Sequence, residues 1–364
     1  MIRVLIVDDS PLMRRLMGEV LDAAHGFEVS FARNGAEAIE LTRSLQPDVI
    51  TLDVEMPEMD GLTCLDRIML DQPRPVVMVS ALTTGGADAT LRAIELGAVD
   101  FVPKPSGPIS LEIDELAPIL REKIMAASKV RLAHSYRLVE RVRAHTARLV
   151  PRPQPYAPLA GSSPMSRPAA GDKVGAVLVG CSTGGPLALE CLIGALPKDF
   201  PWPILVAQHM PAAFTGPLAR RLDGLGGPRV IEVAHAMPIA PGSAYLARGD
   251  ADLVLATRSG GLVALPVPSN ADYRWHPSVD RLVDSAQQHL DADRLIAVLL
   301  TGMGNDGASA MTRLRRAGGF TIAEADNTAV IWGMPGELVK SGGAAEVIPL
   351  DAIPRRLLQR LGEK

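Results

Sequence analysis

Short, unbroken apolar runs alternate with longer amphipathic stretches along the first hundred residues. Val4–Val7, Val49–Leu52, Val76–Val79 and Val99–Val102 are rich in Val, Ile and Leu without polar alternation. That is the pattern of strands buried on both faces of a parallel sheet. Between them Pro11–Ala23, Gly35–Ser44 and Gly61–Leu70 read as helices. Ser10 ahead of Pro11 is a start signal: a hydroxyl that can cap, then a proline whose missing N–H is not needed in the first turn. The βαβα rhythm implies a parallel sheet with right-handed crossovers and helices on both faces. Residues 111–127 predict one more helix.

The pattern then stops. Residues 119–152 carry nine Lys/Arg against two Glu, and Val150–Asp172 holds six prolines among Gly, Ser and Ala. Such a stretch buries no core and reads as a linker. From residue 174 the α/β pattern resumes. Ala176–Val179, Ile204–Ala207, Val230–Val233 and Leu295–Leu300 predict core strands, and Phe320–Ala323 a further one. Ala244–Leu246, Asp252–Ala256 and Leu262–Leu265 are short and turn-separated, and predict an antiparallel hairpin excursion. Asp306–Ala317 reads as a helix stopped by Gly318–Gly319. The expected organisation is a domain over 1–127, a linker over 128–172 and a second domain over 173–364.

Composition narrows the class. With 47% apolar and 21% charged residues the chain is globular. A net charge of −4 supplies no global field for nucleic acid. Three cysteines (Cys64, Cys181, Cys191) make no disulfide framework and fit a reducing cytoplasm. MIRVLIVDDS lacks the apolar length and cleavage site of a signal peptide. No run approaches the ~20 apolar residues of a membrane span, so membrane insertion is not expected.

Chemistry gathers where strands end. Asp8 and Asp9 follow the first strand and Asp53 the Val49–Leu52 strand; Ser80 ends the next, and Lys104 follows the last. In an open parallel sheet, ligands bind beyond these carboxyl ends. Three converging carboxylates call for a cation, and Mg²⁺ suits a hard oxygen site. A carboxylate nucleophile, a metal, a hydroxyl and a lysine are the parts for phosphoryl transfer to aspartate. VDDS, LDVEMPEMDG, the serine of MVSAL and the lysine of VPKP resemble, in order and spacing, a response-regulator receiver domain. The resemblance implies a flavodoxin-like, five-stranded parallel fold. It makes Asp53 the phosphoacceptor, Asp8, Asp9, Asp53 and the Glu55 carbonyl the Mg²⁺ ligands, and Ser80 and Lys104 the switch pair. It also makes Lys104–Pro105 a cis candidate.

In the second half, VLVGCSTGGP runs from a strand into a helix and sets Ser182 on the turn, where G-x-S-x-G fits a nucleophile elbow. Of seven histidines, His209 is best placed as its base, at the end of the Ile204–Ala207 strand; His25, His134 and His145 lie outside this domain. TGMGNDGA after Leu295–Leu300 delivers Asp306, whose local role is expected to be capping its own helix and whose chemical role is to orient the histidine. The order Ser182, His209, Asp306 disfavours the α/β-hydrolase fold, which runs Ser, Asp, His. GCSTGGP, QHMP…FT, HPSVD and LLTGMGNDGA together resemble the catalytic domain of the CheB family of chemotaxis protein-glutamate methylesterases. That implies a doubly wound, mostly parallel domain whose triad is Ser182, His209 and Asp306. Backbone donors near Thr183 and Met303 become oxyanion candidates.

The same resemblance implies hydrolysis of glutamate methyl esters and glutamine amides on methyl-accepting chemoreceptors, phosphorylation by a chemotaxis histidine kinase, and no cofactor beyond the receiver's Mg²⁺. Cys181 stands where the family has alanine, and His276, after Trp275, where it has a basic residue. The alternative output is DNA binding through the basic 119–152 stretch, for which no helix-turn-helix pair is evident. A Cys181 thiol enzyme is disfavoured because strand alternation turns Cys181 away from Ser182. A metal hydrolase is disfavoured because the histidines lack H-x-x-x-H spacing.

Overall fold

A computed structural model describes residues 1–104, 109–130, 174–258 and 260–362. The chain divides into two compact units, Met1–Pro153 and Gln154–Lys364. The linker prediction from residue 131 onwards, and the Lys104–Pro105 bond, lie outside the described residues.

The first unit is a five-stranded sheet of β1 (Ile2–Val7), β2 (Phe27–Ala32), β3 (Val49–Asp53), β4 (Val76–Ser80) and β5 (Asp100–Pro103), in the order β2-β1-β3-β4-β5. Every pairing is parallel. The order reverses between β1 and β3, the switch point at which a doubly wound sheet opens a crevice at its carboxyl edge. Asp8 follows β1 and Asp53 ends β3, so both stand on that crevice. The edge strand β2 escapes the apolar-run criterion because positions on both of its faces reach solvent: Phe27 and Ala32 are buried while Glu28 and Phe31 are exposed. The helix Thr84–Glu95 is also absent from the sequence pattern. It opens on two glycines of poor helix propensity, and it starts because the Thr83 hydroxyl accepts the Gly86 N–H. The helix from Pro11 ends at Val20, with the Ser10 hydroxyl accepting from Met13 N–H as its cap. The run to Ala23 breaks because Asp22 caps a separate 3₁₀ turn, Ala23–His25.

The second unit holds a seven-stranded sheet of β6 (Ala176–Cys181), β7 (Ile204–Gln208), β8 (Arg229–Val233), β10 (Ser243–Ala247), β13 (Leu295–Leu299), β14 (Phe320–Glu324) and β15 (Glu346–Ile348). Their order is β15-β14-β13-β6-β7-β10-β8, and all pairings are parallel. A second sheet, β11 (Ala251–Arg258), β12 (Gly261–Pro268) and the short β9 (Met237–Pro238), is antiparallel. The predicted excursion is therefore confined to β11 and β12. Ala244–Leu246 belongs instead to the main sheet, because Ala244, Tyr245 and Leu246 are buried between β7 and β8 on both faces. Leu178, Leu205, Val279, Leu282, Leu299 and Met311 pack into one core. That core holds β6, β7 and β13 side by side and fixes the three chain ends described next.

Candidate active sites

In the first unit Asp8 and Asp53 are buried and Asp9 is exposed, and one oxygen from each lies within 4.8 Å of the others. Lys104 Nζ stands 2.7 Å from Asp53 Oδ2 and 3.1 Å from Asp8 Oδ2. The Lys104 N–H donates to Ser80 O at 2.7 Å, a contact that draws the end of β5 towards β4. The Ser80 hydroxyl donates to Gly86 O at 3.2 Å, and the Glu55 N–H donates to Asp53 Oδ1 at 3.3 Å. Burial pushes the Asp53 carboxyl up to about 6; the Lys104 hydrogen bond opposes this and the Asp8 charge adds to it. Burial alone would lower the Lys104 ammonium, but the Asp53 hydrogen bond and the Asp8 charge outweigh it and raise it. Three carboxylates, two of them sharing one ammonium, leave a negative cluster of hard oxygen donors, a set that could hold a divalent cation.

In the second unit the register Cys181↔Gln208 makes Ser182 and His209 leave the sheet side by side. The His209 N–H donates to Cys181 O at 3.1 Å, and the Gln208 amide donates to the Ser182 and His209 carbonyls at 2.9 and 3.1 Å. Gly184, at φ +78°, bends the chain into the helix Gly185–Ala195. The Ser182 N–H donates to Thr301 O at 3.0 Å. Gly302 lies so close that a Cβ there would meet Ser182 Cβ at 2.8 Å, so only glycine fits. Thr183 follows Ser182 directly, and Met303 follows Gly302.

His209 Nε2 donates to Asp306 Oδ2 at 2.8 Å, while its buried Nδ1 has no hydrogen-bond partner among the described residues. Asp306 does not cap its own helix, which begins at Ala308 with Gly307 as cap. It caps the helix Val279–Gln287 instead, accepting the Val279 and Asp280 N–H groups at 2.7 and 2.9 Å and the Ser278 hydroxyl at 3.2 Å. A short turn with a left-handed glycine carries the carboxylate away from the helix it precedes and onto a neighbouring one. Burial pushes Asp306 up, yet the His209 bond and charge and these N–H donors outweigh it and hold the group below the usual carboxylate range.

Several residues at this site carry no motif signal. Trp275 lies parallel to the His209 ring (7°, centroids 6.2 Å apart), and the Arg274 guanidinium sits 4.9 Å from the Trp275 ring centre. Buried Asp252 accepts from His276 Nδ1 at 2.9 Å, Ser278 N–H at 2.7 Å and Arg281 Nη1 at 2.7 Å, and so anchors the loop that bears Trp275. His276 thus faces a structural carboxylate. The cis peptide among the described residues is His276–Pro277, in this loop. Cys181 is buried, its thiol donates to Gln208 Oε1 at 3.0 Å, and burial together with the Glu324 charge raises it far out of the nucleophilic range.

Comparison with known proteins agrees with this division. A family model of the CheB methylesterase matches residues 177–357, and one of the response regulator receiver domain matches residues 4–113. A protein-glutamate methylesterase/protein-glutamine glutaminase of Rhodopseudomonas palustris (strain BisB18) is 52% identical over 99% of this chain and 98% of its own length. A second, from Rhodospirillum rubrum, is 51% identical over 98% and 95%. The crystal structure of the Thermotoga maritima CheB methylesterase catalytic domain matches with a TM-score of 0.50 and 38% identity, over 52% of this chain and 99% of that one. Fold and comparisons together define a response regulator whose output unit is a hydrolase. The chain belongs to the CheB family of protein-glutamate methylesterases/protein-glutamine glutaminases. The output unit that the family model matches is the methylesterase; the basic 119–152 stretch, on which the DNA-binding alternative rested, lies between the two matches and from residue 131 outside the described residues.

Proposed function

We propose that the protein hydrolyses glutamate methyl esters, and deamidates glutamines, on chemoreceptors under the control of phosphorylation at Asp53. The observation that carries the reading is the His209–Asp306 pair at 2.8 Å, held at the ends of β7 and β13 on either side of the strand that delivers Ser182. Ser182 Oγ attacks the side-chain carbonyl carbon, and its proton passes to Nδ1, the ring nitrogen that Asp306 leaves free. Asp306 holds the ring and stabilises the imidazolium. N–H groups near Thr183 and Met303 receive the oxyanion. Collapse of the intermediate transfers the proton to the leaving methoxide, giving methanol and an acyl-enzyme; a glutamine substrate loses ammonia instead. Water, deprotonated by His209, then releases glutamate and restores Ser182.

At the receiver, Asp53 is the nucleophile towards a histidine kinase's phosphoryl group. Asp8, Asp9, Asp53 and the Glu55 carbonyl would hold Mg²⁺. Bound there, the ion neutralises charge on the phosphoryl oxygens. Lys104 pairs with the acceptor carboxylate, and Ser80 stands at the end of β4 to meet the phosphoryl group, so the two respond together. The hydrolase chemistry requires no cofactor. Three free, buried cysteines suit the cytoplasmic location this reading carries.

Methanol release from membranes bearing methylated receptors, with and without a small phosphodonor, tests the proposal. Release that rises with the phosphodonor, and that disappears with Ser182→Ala, is expected. Release indifferent to both overturns it.

A further inference from the structure

We infer that Glu324 is a positioning residue for the nucleophile: from beneath the turn it holds Thr301, and Thr301 holds Ser182 and Thr183. The inference rests on the reading of Ser182 as nucleophile.

The geometry begins where a ladder ends. β13 and β14 pair as far as Leu299↔Ala323. Beyond that register the two chains part, and the Thr301 N–H is buried with no strand partner to take it. Glu324, the last residue of β14 and completely buried, reaches across and accepts that N–H on Oε2 at 2.7 Å. Its main-chain carbonyl accepts the Trp332 indole N–H at 2.7 Å.

Thr301 then distributes the restraint. Its carbonyl accepts the Ser182 N–H at 3.0 Å. Its hydroxyl donates to Thr183 O at 2.9 Å and accepts the Ile331 N–H at 3.0 Å. The next carbonyl, on Gly302, accepts the Gly333 and Met334 N–H groups at 3.1 and 2.9 Å. One acid therefore ties Thr301, and through it Ser182 and Thr183, to a strand that contributes no group to the reaction.

A buried carboxyl is an expensive way to fill space, since an apolar side chain of that size avoids the desolvation penalty. What an apolar side chain lacks is an acceptor aimed at Thr301. Displacing a reacting group by about 1 Å costs on the order of a hundredfold in rate without weakening substrate binding. The signature of positioning is accordingly a loss in kcat with KM held.

Three variants of the full-length, phosphorylated protein test this on methylated receptor membranes. Glu324→Leu removes the acceptor, and its kcat is expected to fall on the order of tenfold to a hundredfold, with KM within about twofold. Glu324→Gln keeps an acceptor oxygen and is expected to stay within about threefold of the parent. Covalent labelling of Ser182 by phenylmethanesulfonyl fluoride should slow in the Leu variant and recover in the Gln variant. A Leu variant with kcat within about twofold of the parent overturns the inference, and so does a Gln variant as poor as Leu. If Glu324→Leu lacks the near-ultraviolet circular dichroism of the parent, Glu324→Met, which also lacks an acceptor oxygen, decides by the same kcat and KM criteria. Activity surviving in Ser182→Ala is a different failure, that of the nucleophile reading itself.

Discussion

Asp53 and Asp306 are both buried aspartates at the carboxyl edge of a parallel sheet, and they are prepared in opposite ways. Asp306 is saturated: His209, two backbone N–H groups and a hydroxyl all point at it, and it is held below the usual carboxylate range. Asp53 is crowded by burial all round and by Asp8, with Lys104 and the Glu55 N–H in compensation, and it is pushed up to about 6. A carboxylate that orients a partner has to be inert, and hydrogen bonds make it so. A carboxylate that attacks has to keep lone pairs unspent, which leaves it costly until a cation and a phosphoryl group arrive. Between these two acids, the donors aimed at the carboxyl track the pKa: more of them accompany the lowered group than the raised one.

The strongest way to break the comparison is to exchange outcomes between the sites. Ser182→Ala should abolish ester hydrolysis, on the order of 10⁶-fold in kcat, while base-labile phosphoryl labelling of Asp53 continues unchanged. Asp53→Asn should show the reverse, with no labelling and an intact basal esterase. Labelled phosphodonor and methanol assays on both variants give the two readings, and any crossover between them removes the separation.

Asp306→Asn comes next. It preserves volume but loses the charge that selects the productive tautomer, and kcat should drop on the order of 10⁴-fold. Because Asp306 also caps the helix Val279–Gln287, the melting temperature should fall as well. An unchanged melting temperature would mean that the cap contributes nothing.

A smaller effect is expected of Trp275→Ala. It removes the ring parallel to His209 and frees the imidazole to tilt, lowering kcat about tenfold, whereas Trp275→Phe should retain most of it.

The smallest effect sharpens the donor-number rule. Glu324 is a third buried acid, and burial pushes it up to about 7 from 4.5 despite the Thr301 N–H and Thr328. Its folded value is raised, so its contribution to stability is full below pH 4.5 and is lost as pH rises towards 7. Urea denaturation at a series of pH values should show the parent losing roughly 1–3 kcal/mol over that window relative to Glu324→Gln. Parallel curves for the two proteins would place this carboxyl among the saturated ones.

The strands buried on both faces were legible in the sequence because such strands are written as unbroken Val, Ile and Leu runs. So were the residues that follow them, since the carboxyl edge of a parallel sheet is where ligands bind. The edge strand β2 was not legible, because only its first and last residues are buried. Nor was β10, whose Ala244–Leu246 is too short to declare which neighbour it pairs with. Asp306 was placed correctly beside His209 but given the wrong local task. Which helix it caps depends on how two helices pack, and no local spacing records that. Glu324 and Asp252 look like ordinary strand acids, and only the divergence of β13 from β14 and the folding-over of the 274–278 loop give them work.

His209 and Asp306 stand 97 residues apart in sequence, and Val177 of β6 pairs with Ile296 of β13. The hydrolase site therefore cannot form as the chain is being made, until β13 and the turn beyond it have left the ribosome and found β6. Pairings of such long range close slowly. The acidic site is complete once Lys104 has emerged, and domains fold as units, the N-terminal one first, during synthesis at about 5–20 residues per second. A newborn chain is ready to receive its signal well before it is able to act on one.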